Sequence, residues 1–285
     1  MIIFKTVSQM MAFKEKENAS NKTFGFVPTM GALHEGHISL IRASISQNDL
    51  TVCSIFVNPT QFNNPVDFEK YPITIEADIN MLEGNGCDIL FLPSVDEMYS
   101  AEIKFPFYEL GYLDNLLEAA FRPGHYQGVC KIVDRLLTVV KPTILYLGQK
   151  DYQQCMVIKK MMELRNIHTV IHIEKTIRET DGLAMSSRNA RLNAEERKTA
   201  VKIFDALSCI QHELKPGPLD AIKQKATLFL IENGYRVDYV EIADASNLAP
   251  LHEWDGEISL VILIAAYLNE VRLIDNFVLL PSRTK

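Results

Sequence analysis

Residues 26–37, with the sequence Phe-Val-Pro-Thr-Met-Gly-Ala-Leu-His-Glu-Gly-His, join an apolar run to a turn and the expected start of a helix. If the helix begins near Gly36, His34 and His37 both lie around its first turn, where unpaired N–H groups and the positive end of the helix dipole are found. Anions bind readily there, and imidazoles can donate hydrogen bonds to phosphate oxygens. One capping and one core histidine would explain the same pair, so this stretch alone leaves both interpretations open.

Short apolar runs alternate with helical patterns through the first two-thirds of the chain. This alternation predicts right-handed βαβ units and an α/β fold with a Rossmann-like, doubly wound parallel sheet. Ligands of such sheets bind beyond the carboxyl ends of the strands, where residues 28–37 are expected to lie. The predicted strands, apolar on both faces as in a parallel sheet, are Phe24–Pro28, Thr51–Val57, Asp88–Pro93, Thr143–Gly148 and His168–Ile173.

The pattern changes after Lys175, where a polar stretch leads into a second group of elements. We expect a domain boundary near residue 176, with a Rossmann-like domain over residues 1–176 and a smaller C-terminal α+β domain over residues 177–285. The predicted elements of the second domain are helices at about 194–213 and 218–233 and strands at 237–243, 259–268 and 271–280.

Composition excludes several classes of protein. The 285 residues carry a formal net charge of −7 and no long Lys/Arg cluster, so we expect no nucleic-acid partner. The longest apolar run, Leu260–Leu268, is too short to span a membrane, and the N-terminal residues lack the features of a signal peptide. Five scattered cysteines without a C-x-x-C motif indicate reduced thiols and a cytoplasmic location.

Two later polar segments contain residues suited to phosphate chemistry. In the segment that follows the predicted strand at residues 143–148, Lys150 could neutralise charge on a transferred phosphorus and Asp151 could orient a ribose or a metal-bound water. In the segment 181–188, Ser186 and Ser187 offer hydroxyl donors and Arg188 offers a planar charged fork. Helix capping by Asp151 and a solvated linker are the alternatives that local sequence does not exclude.

A third segment, residues 58–62, offers uncharged hydrogen-bonding groups. Asn58 and Gln61 could hold a small polar substrate next to a loop that Pro59 stiffens, although turn chemistry alone would also explain them. Asp78, in a helical pattern at residues 75–82, could help to hold a magnesium ion or could lie on a solvated helix face.

Taken together, these segments resemble the pantoate–β-alanine ligase family, the pantothenate synthetases. Residues 34–37 resemble the HxGH element of the wider nucleotidyltransferase superfamily, and residues 185–188 its KMSKS-type loop. The resemblance continues through Phe56–Phe62, Phe121–Tyr126, Gly148–Gln154 and Asp181–Asn189, and covers about residues 24–192 in order.

The resemblance implies a two-step, ATP-dependent reaction. D-Pantoate's carboxylate attacks the α-phosphorus of ATP and releases pyrophosphate, and the amine of β-alanine then displaces AMP from pantoyl adenylate to give pantothenate. It also implies Mg²⁺ with ATP, a homodimer, and a C-terminal domain that acts as a lid over the nucleotide- and pantoate-binding domain. The rival interpretations are another nucleotidyltransferase of the HxGH type and a nucleotide-binding regulator.

The resemblance also assigns roles to residues by position. His37, His34, Lys150, Ser186, Ser187 and Arg188 would be catalytic, with His37 as the proton donor. Gln61, Gln154 and Asn58 would bind pantoate, Gln61 would also bind β-alanine, and Asp78 would be associated with magnesium. The ATP site would comprise Met30, Gly31, Ala32, Leu33, His34, Glu35, Gly36, His37, Gly148, Gln149, Lys150, Asp151, Ile177, Met185, Ser186, Ser187 and Arg188.

Three positions depart from the pattern of the family. Ile73 stands where arginine is common, Lys131 where a small hydroxyl residue is usual, and Gln149 where glutamate is common. The first two weaken any statement about how a flap over pantoate is held, and none of the three removes a proposed catalytic group.

Overall fold

A computed structural model describes residues 1–18 and 20–280. The chain forms two compact units, and both are built from discontinuous segments. The first unit comprises residues 1–115, 122–149 and 154–177, and the second comprises residues 116–121, 150–153 and the chain from Arg178 onward. The functional division at residue 176, with the second domain as a lid, stays a prediction.

The first unit contains a six-stranded parallel sheet in the order β1-β4-β3-β2-β5-β6. From β2 the chain continues to one side through β3 and β4, whereas β5 and β6 lie on the other side. The topological switch point is therefore between β2 and β5, where a ligand crevice is expected in such sheets. The strands are β1 (Ile2–Phe4), β2 (Phe24–Thr29), β3 (Leu50–Ile55), β4 (Ile89–Phe91), β5 (Ile144–Gly148) and β6 (Val170–Glu174).

Helices lie between these strands in the sequence, and some of them bury apolar faces against the sheet; the short helix at residues 118–121 belongs to the second unit. One core cluster includes Val27, Ile41, Leu82 and Leu90, all fully buried. The helices are α1 (Val7–Asn18), α2 (Glu35–Gln47), α3 (Pro65–Glu69), α4 (Ile75–Gly84), α5 (Val95–Met98), α6 (Glu118–Phe121), α7 (His125–Val140) and α8 (Tyr152–Leu164); short 3₁₀ helices occur at Pro59–Gln61, Gly111–Asp114 and Gln149–Asp151. The five predicted strands are confirmed, whereas β1 was not predicted because three apolar residues are too few to show a period.

The second unit is built around a three-stranded antiparallel sheet in the order β11-β10-β8. Leu207, Leu230, Ile242 and Ile264 lie in its core, so the helices and the sheet share one apolar interior. The α+β class predicted for this part of the chain is confirmed. Its elements are α9 (Ala194–Ala200), α10 (Lys202–Glu213), β7 (Gly217–Pro218), α11 (Asp220–Glu232), β8 (Tyr235–Asp244), β9 (Glu253–Trp254), β10 (Leu260–Leu268) and β11 (Val271–Leu279), with a 3₁₀ helix at Ser187–Arg191.

The single helix predicted over residues 194–213 is in fact two helices, α9 and α10. They are separated at Val201, whose N–H is directed to the Thr199 carbonyl instead of the carbonyl four residues back. The Tyr235 hydroxyl donates to the same Thr199 carbonyl at 2.9 Å, which gives that carbonyl a partner outside the helix. A tertiary contact of this kind has no signal in the local sequence.

Two further findings concern membrane-spanning helices and cysteines. None of the helices that the structure describes has the length and apolar character needed to cross a membrane. The five cysteines are free, four of them buried and Cys209 exposed.

Candidate active site

His34 and His37 cap the start of α2 reciprocally. His34 is the N-cap residue, and its Nδ1 accepts a hydrogen bond from the Gly36 N–H at 3.1 Å. The Nδ1 of His37 accepts from the His34 N–H at 3.2 Å, and the two rings lie 4.1 Å apart between centroids. Because both Nδ1 atoms are acceptors, the proton of each neutral imidazole is on Nε2. The capping interpretation holds for His34, and the same contacts fix one tautomer for both rings.

The turn between β2 and α2 is held by the carboxylate of Asp78 on α4. Asp78 Oδ2 accepts from the Ala32 N–H at 3.0 Å, and Oδ1 accepts from the Leu33 N–H at 2.8 Å. Gly31 and Ala32 have φ angles of +80° and +48°, so the chain makes a left-handed turn here. The Thr74 hydroxyl also donates to Asp78 Oδ1 at 3.1 Å, and Asp78 is only 1% exposed. The solvated helix face considered for Asp78 is therefore wrong: the residue is buried and supports the turn.

Asn58 organises the 3₁₀ helix at residues 59–61 that follows β3. It is 1% exposed, and its Oδ1 accepts from the Thr60 N–H at 3.3 Å and the Tyr99 hydroxyl at 2.6 Å. Its Nδ2 donates to Gln61 Oε1 at 2.9 Å and to the Gly128 carbonyl at 3.2 Å. Burial raises the pKa of the Tyr99 hydroxyl, so Tyr99 remains a donor to Asn58 at neutral pH. Asn58 thus fixes the Gln61 side chain.

Gln61 connects this loop to the turn after β2. Its Nε2 donates to the Sδ of Met30 at 3.2 Å, so two segments that follow neighbouring strands meet within the first unit. The Gln61 carbonyl lies 2.8 Å from Nδ1 of His125, and Nε2 of His125 lies 3.2 Å from the Arg122 guanidinium. Since Arg122 can only donate, Nδ1–H of a neutral His125 donates to the Gln61 carbonyl.

Gln154, Gly148 and Gln149 lie at or near the carboxyl end of β5. Gly148 is the last residue of the strand, Gln149 begins the short 3₁₀ helix, and Gln154 is half-buried in α8. The Gly148 carbonyl lies 3.5 Å from the Sγ of Cys155, which ties the strand end to α8. The polar cluster predicted at this strand end, and its role in substrate binding, stay predictions.

Lys150 and Asp151 belong to the second unit. Asp151 is exposed, and Lys150 is half-buried. The carbonyl of Lys150 accepts a hydrogen bond from the Nδ2 of Asn276, on β11, at 2.8 Å. Two residues further on, the Tyr152 hydroxyl donates to the Ala245 carbonyl at 2.7 Å. The main chain that carries Lys150 is therefore anchored to the elements of the second unit.

The segment 178–191 folds as a short hairpin that leads into a 3₁₀ helix. Arg178 pairs with Ala184 in an antiparallel bridge, and the Glu179 N–H donates to the Leu183 carbonyl at 2.8 Å. Ser186 is the N-cap of the helix Ser187–Arg191, its Oγ accepting from the Arg188 N–H at 3.3 Å. The segment for which a solvated linker was the alternative is thus an ordered loop, with Ile177 just before it and Met185 next to Ser186.

Arg178 fixes the base of this loop. Its guanidinium donates two hydrogen bonds to the Asp275 carboxylate, at 2.6 and 2.9 Å, and a third to the Gly182 carbonyl at 2.9 Å. The same guanidinium lies over the rings of Phe204 and Phe277, at 5.0 and 4.9 Å from their centroids. Burial raises the pKa of the Asp275 carboxyl, and the Arg178 guanidinium opposes that effect.

Within the first unit the structure brings the 30–37 turn, Asp78, Asn58 and Gln61 into one connected set. Within the second unit it ties Lys150 and the 178–191 loop to β11. The sequence prediction missed Tyr99 and His125 as supports of the 58–61 loop. It also missed Asp275 and Asn276, for which the signal was a pair of polar residues inside an apolar strand. Across residues 1–18 and 20–280, no group of three or more His, Cys, Asp or Glu side chains is arranged to hold a metal ion.

Comparison with known proteins gives a full-length match to one family. A family model described as pantoate-beta-alanine ligase matches residues 2–278. The pantothenate synthetase of Cytophaga hutchinsonii is 42% identical over 283 residues, covering 98% of this chain and 100% of the relative. The pantothenate synthetase of Thermotoga neapolitana is 42% identical over 282 residues, with the same coverage of 98% and 100%.

Solved structures agree with the sequence matches. Pantothenate synthetase from Thermus thermophilus matches with a TM-score of 0.88 at 36% identity, over 97% of this chain and 99% of that chain. Pantoate-beta-alanine ligase from Francisella tularensis, solved as a complex with beta-gamma ATP and beta-alanine, matches with a TM-score of 0.78 at 37% identity, over 97% of both chains.

Proposed function

This chain belongs to the pantoate–β-alanine ligase family, and on that premise we propose how its residues carry out the ATP-dependent ligation of D-pantoate and β-alanine to pantothenate. The reaction proceeds in two steps. A carboxylate oxygen of pantoate forms a bond to the α-phosphorus of ATP while the bond to pyrophosphate breaks. The amine of β-alanine then attacks the acyl carbon of pantoyl adenylate, and AMP leaves as the amide forms and the amine loses a proton.

The observation that carries the proposal is the reciprocal cap formed by His34 and His37. Both Nδ1 atoms accept backbone hydrogen bonds, so Nε2–H is the donor of each neutral ring. Two donors of fixed tautomer at a helix N-terminus suit the oxygens of a triphosphate. In this proposal His37 donates to the phosphate oxygens on which charge accumulates, and its contribution is electrostatic stabilisation with alignment.

The turn before this helix supplies the main-chain part of the ATP site. Gly31 lacks a Cβ, and a Cβ there would lie 3.0 Å from Asp78 Oδ2 and 3.1 Å from Ile55 Cγ2. The turn therefore packs directly on Asp78. The proposed ATP-binding residues of this segment run from Met30 to His37, followed by Gly148 and Gln149 after β5.

In the second unit we assign phosphate contacts to Lys150, Ser186, Ser187 and Arg188. Lys150 supplies a point charge, the serines supply hydroxyl donors, and Arg188 supplies a bidentate fork. The ordered N-cap at Ser186 supports this assignment, because it fixes the main chain that carries the two side chains after it. Asp151, Ile177 and Met185 complete the proposed nucleotide site.

Pantoate is assigned to Gln61 and Gln154, with Asn58 as the support of Gln61. Neutral amides bind a hydroxy acid without adding a charge that would compete with the attack of its carboxylate on ATP. The hydrogen bond between Asn58 and Gln61 supports this assignment, since it orients the Gln61 amide. Gln61 is also assigned to β-alanine.

Magnesium is proposed as part of the MgATP substrate. The contacts of Asp78 do not suit a direct ligand, because both carboxylate oxygens already accept backbone hydrogen bonds and the side chain is buried. Mg²⁺ binds substrate phosphates and keeps several waters, so a dedicated cage of protein ligands is not required. We therefore propose that Asp78 serves the nucleotide through the turn that it supports.

The decisive experiment mixes the protein with ATP, Mg²⁺ and labelled pyrophosphate, with D-pantoate and β-alanine each supplied or omitted. We expect pyrophosphate to exchange into ATP when pantoate is present, and AMP and pantothenate to form in equal amounts when β-alanine is added. ATP binding without pantoate-dependent exchange would contradict the ligase assignment and would favour a nucleotide-binding regulator. Exchange that proceeds without pantoate would favour another nucleotidyltransferase.

Two further proposals concern the setting of the enzyme. We propose a homodimer, supported by the exposed aromatic residues Phe107 and Tyr112 of the first unit, and light scattering on the purified protein tests it. We also place the enzyme in the cytoplasm, where ATP is available and the five free cysteines remain reduced.

A further inference from the structure

Strand β11 carries two adjacent buried polar residues in an otherwise largely apolar run. Asp275 and Asn276 are 3% and 2% exposed, and each is bonded to a different segment of the second unit. Asp275 accepts both hydrogen bonds of the Arg178 fork, at the base of the 178–191 loop. Asn276 donates to the carbonyl of Lys150, which lies 126 positions away in the sequence.

The pair is also joined internally. Asp275 Oδ1 accepts from the Asn276 N–H at 2.7 Å, so the carboxylate that receives Arg178 is bound to the residue that holds Lys150. The Arg178 guanidinium also lies over the rings of Phe204 and Phe277, at 5.0 and 4.9 Å from their centroids. Burying such groups is unfavourable unless they are fully hydrogen-bonded, and an apolar strand could be completed more simply by branched aliphatic residues.

We propose that Asp275 and Asn276 are positioning residues for the adenylation step. They hold the main chain of Lys150 and the base of the 178–191 loop at fixed positions next to β11. The charged side chains of both segments can then contact the same phosphates. The inference rests on the proposed function of Lys150 and of the loop. Neither Asp275 nor Asn276 contacts substrate in this proposal, and each acts through the segment to which it is bonded.

The test uses Asn276→Leu, which keeps the side-chain volume and removes the donor to the Lys150 carbonyl. We expect the rate of pantoate-dependent pyrophosphate exchange to fall about 10- to 100-fold, because a displacement of about 1 Å at a positioned group costs on that order. The KM for pantoate should stay unchanged. Asn276→Ser is the second variant if the leucine variant does not fold, and Tyr235→Phe is the matched control, since it removes another buried hydrogen bond of the same unit.

A double-mutant cycle separates positioning from general destabilisation. In a Lys150→Gln background, Asn276→Leu should cause little further loss of exchange, because its effect is transmitted through Lys150. By the same reasoning, Asp275→Asn should lower the exchange rate in the wild-type background. It should lower the rate little further when it is combined with Ser187→Ala. Non-additive losses of this pattern support the proposal.

Four outcomes would overturn it. An Asn276→Leu enzyme with the exchange rate of the wild type, while Lys150→Gln is impaired, rejects the inference and leaves the proposed function intact. A loss no larger than that of Tyr235→Phe, or an equal loss in the Lys150→Gln background, shows a structural role alone. Full exchange by Lys150→Gln itself rejects the proposed role of Lys150 and, with it, this inference.

Discussion

Gly128 on α7 lies so close to Thr60 that a Cβ built on Gly128 would be 2.2 Å from the Thr60 carbonyl oxygen. The same Cβ would be 2.8 Å from the Cα of Gln61, and backbone atoms cannot move aside as a flexible side chain can. We predict that Gly128→Ala displaces the 59–61 helix, raises the KM for pantoate about tenfold and lowers the free energy of unfolding by about 1–3 kcal/mol. Steady-state kinetics and urea unfolding measure the two effects.

Gly84→Ala provides the matched control for this prediction. Gly84 ends α4, and among the described residues no heavy atom outside its chain neighbours and its own helix backbone lies within 4 Å of a Cβ built there. Alanine is favoured over glycine in helices by up to about 1 kcal/mol, so this variant should be as stable as the wild type or slightly more so. An unchanged KM for pantoate in Gly128→Ala would show that the contact with Thr60 does not position Gln61.

His37 has two separable roles, one in the cap of α2 and one in the proposed contact with phosphate. His37→Ala removes both, and we predict a loss of about 10²–10⁴ in the exchange rate, together with reduced stability. Glutamine at the third position of a helix commonly accepts from the N-cap N–H, so His37→Gln should recover the stability. If His37→Gln also recovered the full rate, the cap and not the imidazole Nε2 would explain the alanine variant.

Asp78→Asn tests whether this residue acts through the turn or through the metal. The asparagine oxygen can accept from one backbone N–H, but its amino group then faces the other, which leaves a buried donor without a partner. We predict a loss of about 1–3 kcal/mol in the free energy of unfolding and slower turnover, with no change in the Mg²⁺ concentration needed for half-maximal rate. Glu76→Gln, an exposed change on the same helix, is the control. A strongly increased Mg²⁺ requirement would indicate direct contact with the ion.

Lys14 on α1 is buried at 6% exposure, with its Nζ 3.4 Å from the centroid of the Phe24 ring. Burial, with a smaller effect from Lys141, lowers the pKa of Lys14 from 10.5 to about 8. Because the folded state holds this proton less tightly than the unfolded state does, Lys14 destabilises the fold fully below about pH 8. That penalty disappears as the pH rises from about 8 to 10.5.

We therefore predict that Lys14→Met stabilises the protein at pH 7 by about 1–2 kcal/mol. The difference from the wild type should shrink above pH 8, where the wild-type lysine deprotonates in the folded state. Thermal unfolding at pH 7 and pH 9.5 measures it, with Lys16→Met as the exposed control on the same helix. A gain that does not change with pH would mean that apolar packing, and not the charge, is responsible.

Sequence patterns predicted the elements of this protein that are determined by residues close together in the sequence. Five of the six strands of the parallel sheet were recognisable from their apolar runs, and the histidine pair was recognisable because it follows such a run. The bond from Leu33 to Asp78 and the bond from Lys150 to Asn276 were not predictable, since each joins residues that are distant in sequence. A polar residue shows its chemistry in the sequence, but its partner is determined by the fold.

Because the second unit is built from separate segments of the chain, a fragment that begins at Arg178 does not contain all of it. Glu118, in the short segment 116–121, accepts a hydrogen bond from the Arg272 guanidinium at 2.6 Å and another from the Tyr239 hydroxyl at 2.8 Å. A fragment that begins at Arg178 would lack Glu118, so that among the described residues Arg272 would keep Asp238, at 2.8 Å, as a carboxylate partner. During translation, the C-terminal sheet must likewise form its contacts with α6, which was synthesised more than a hundred residues earlier.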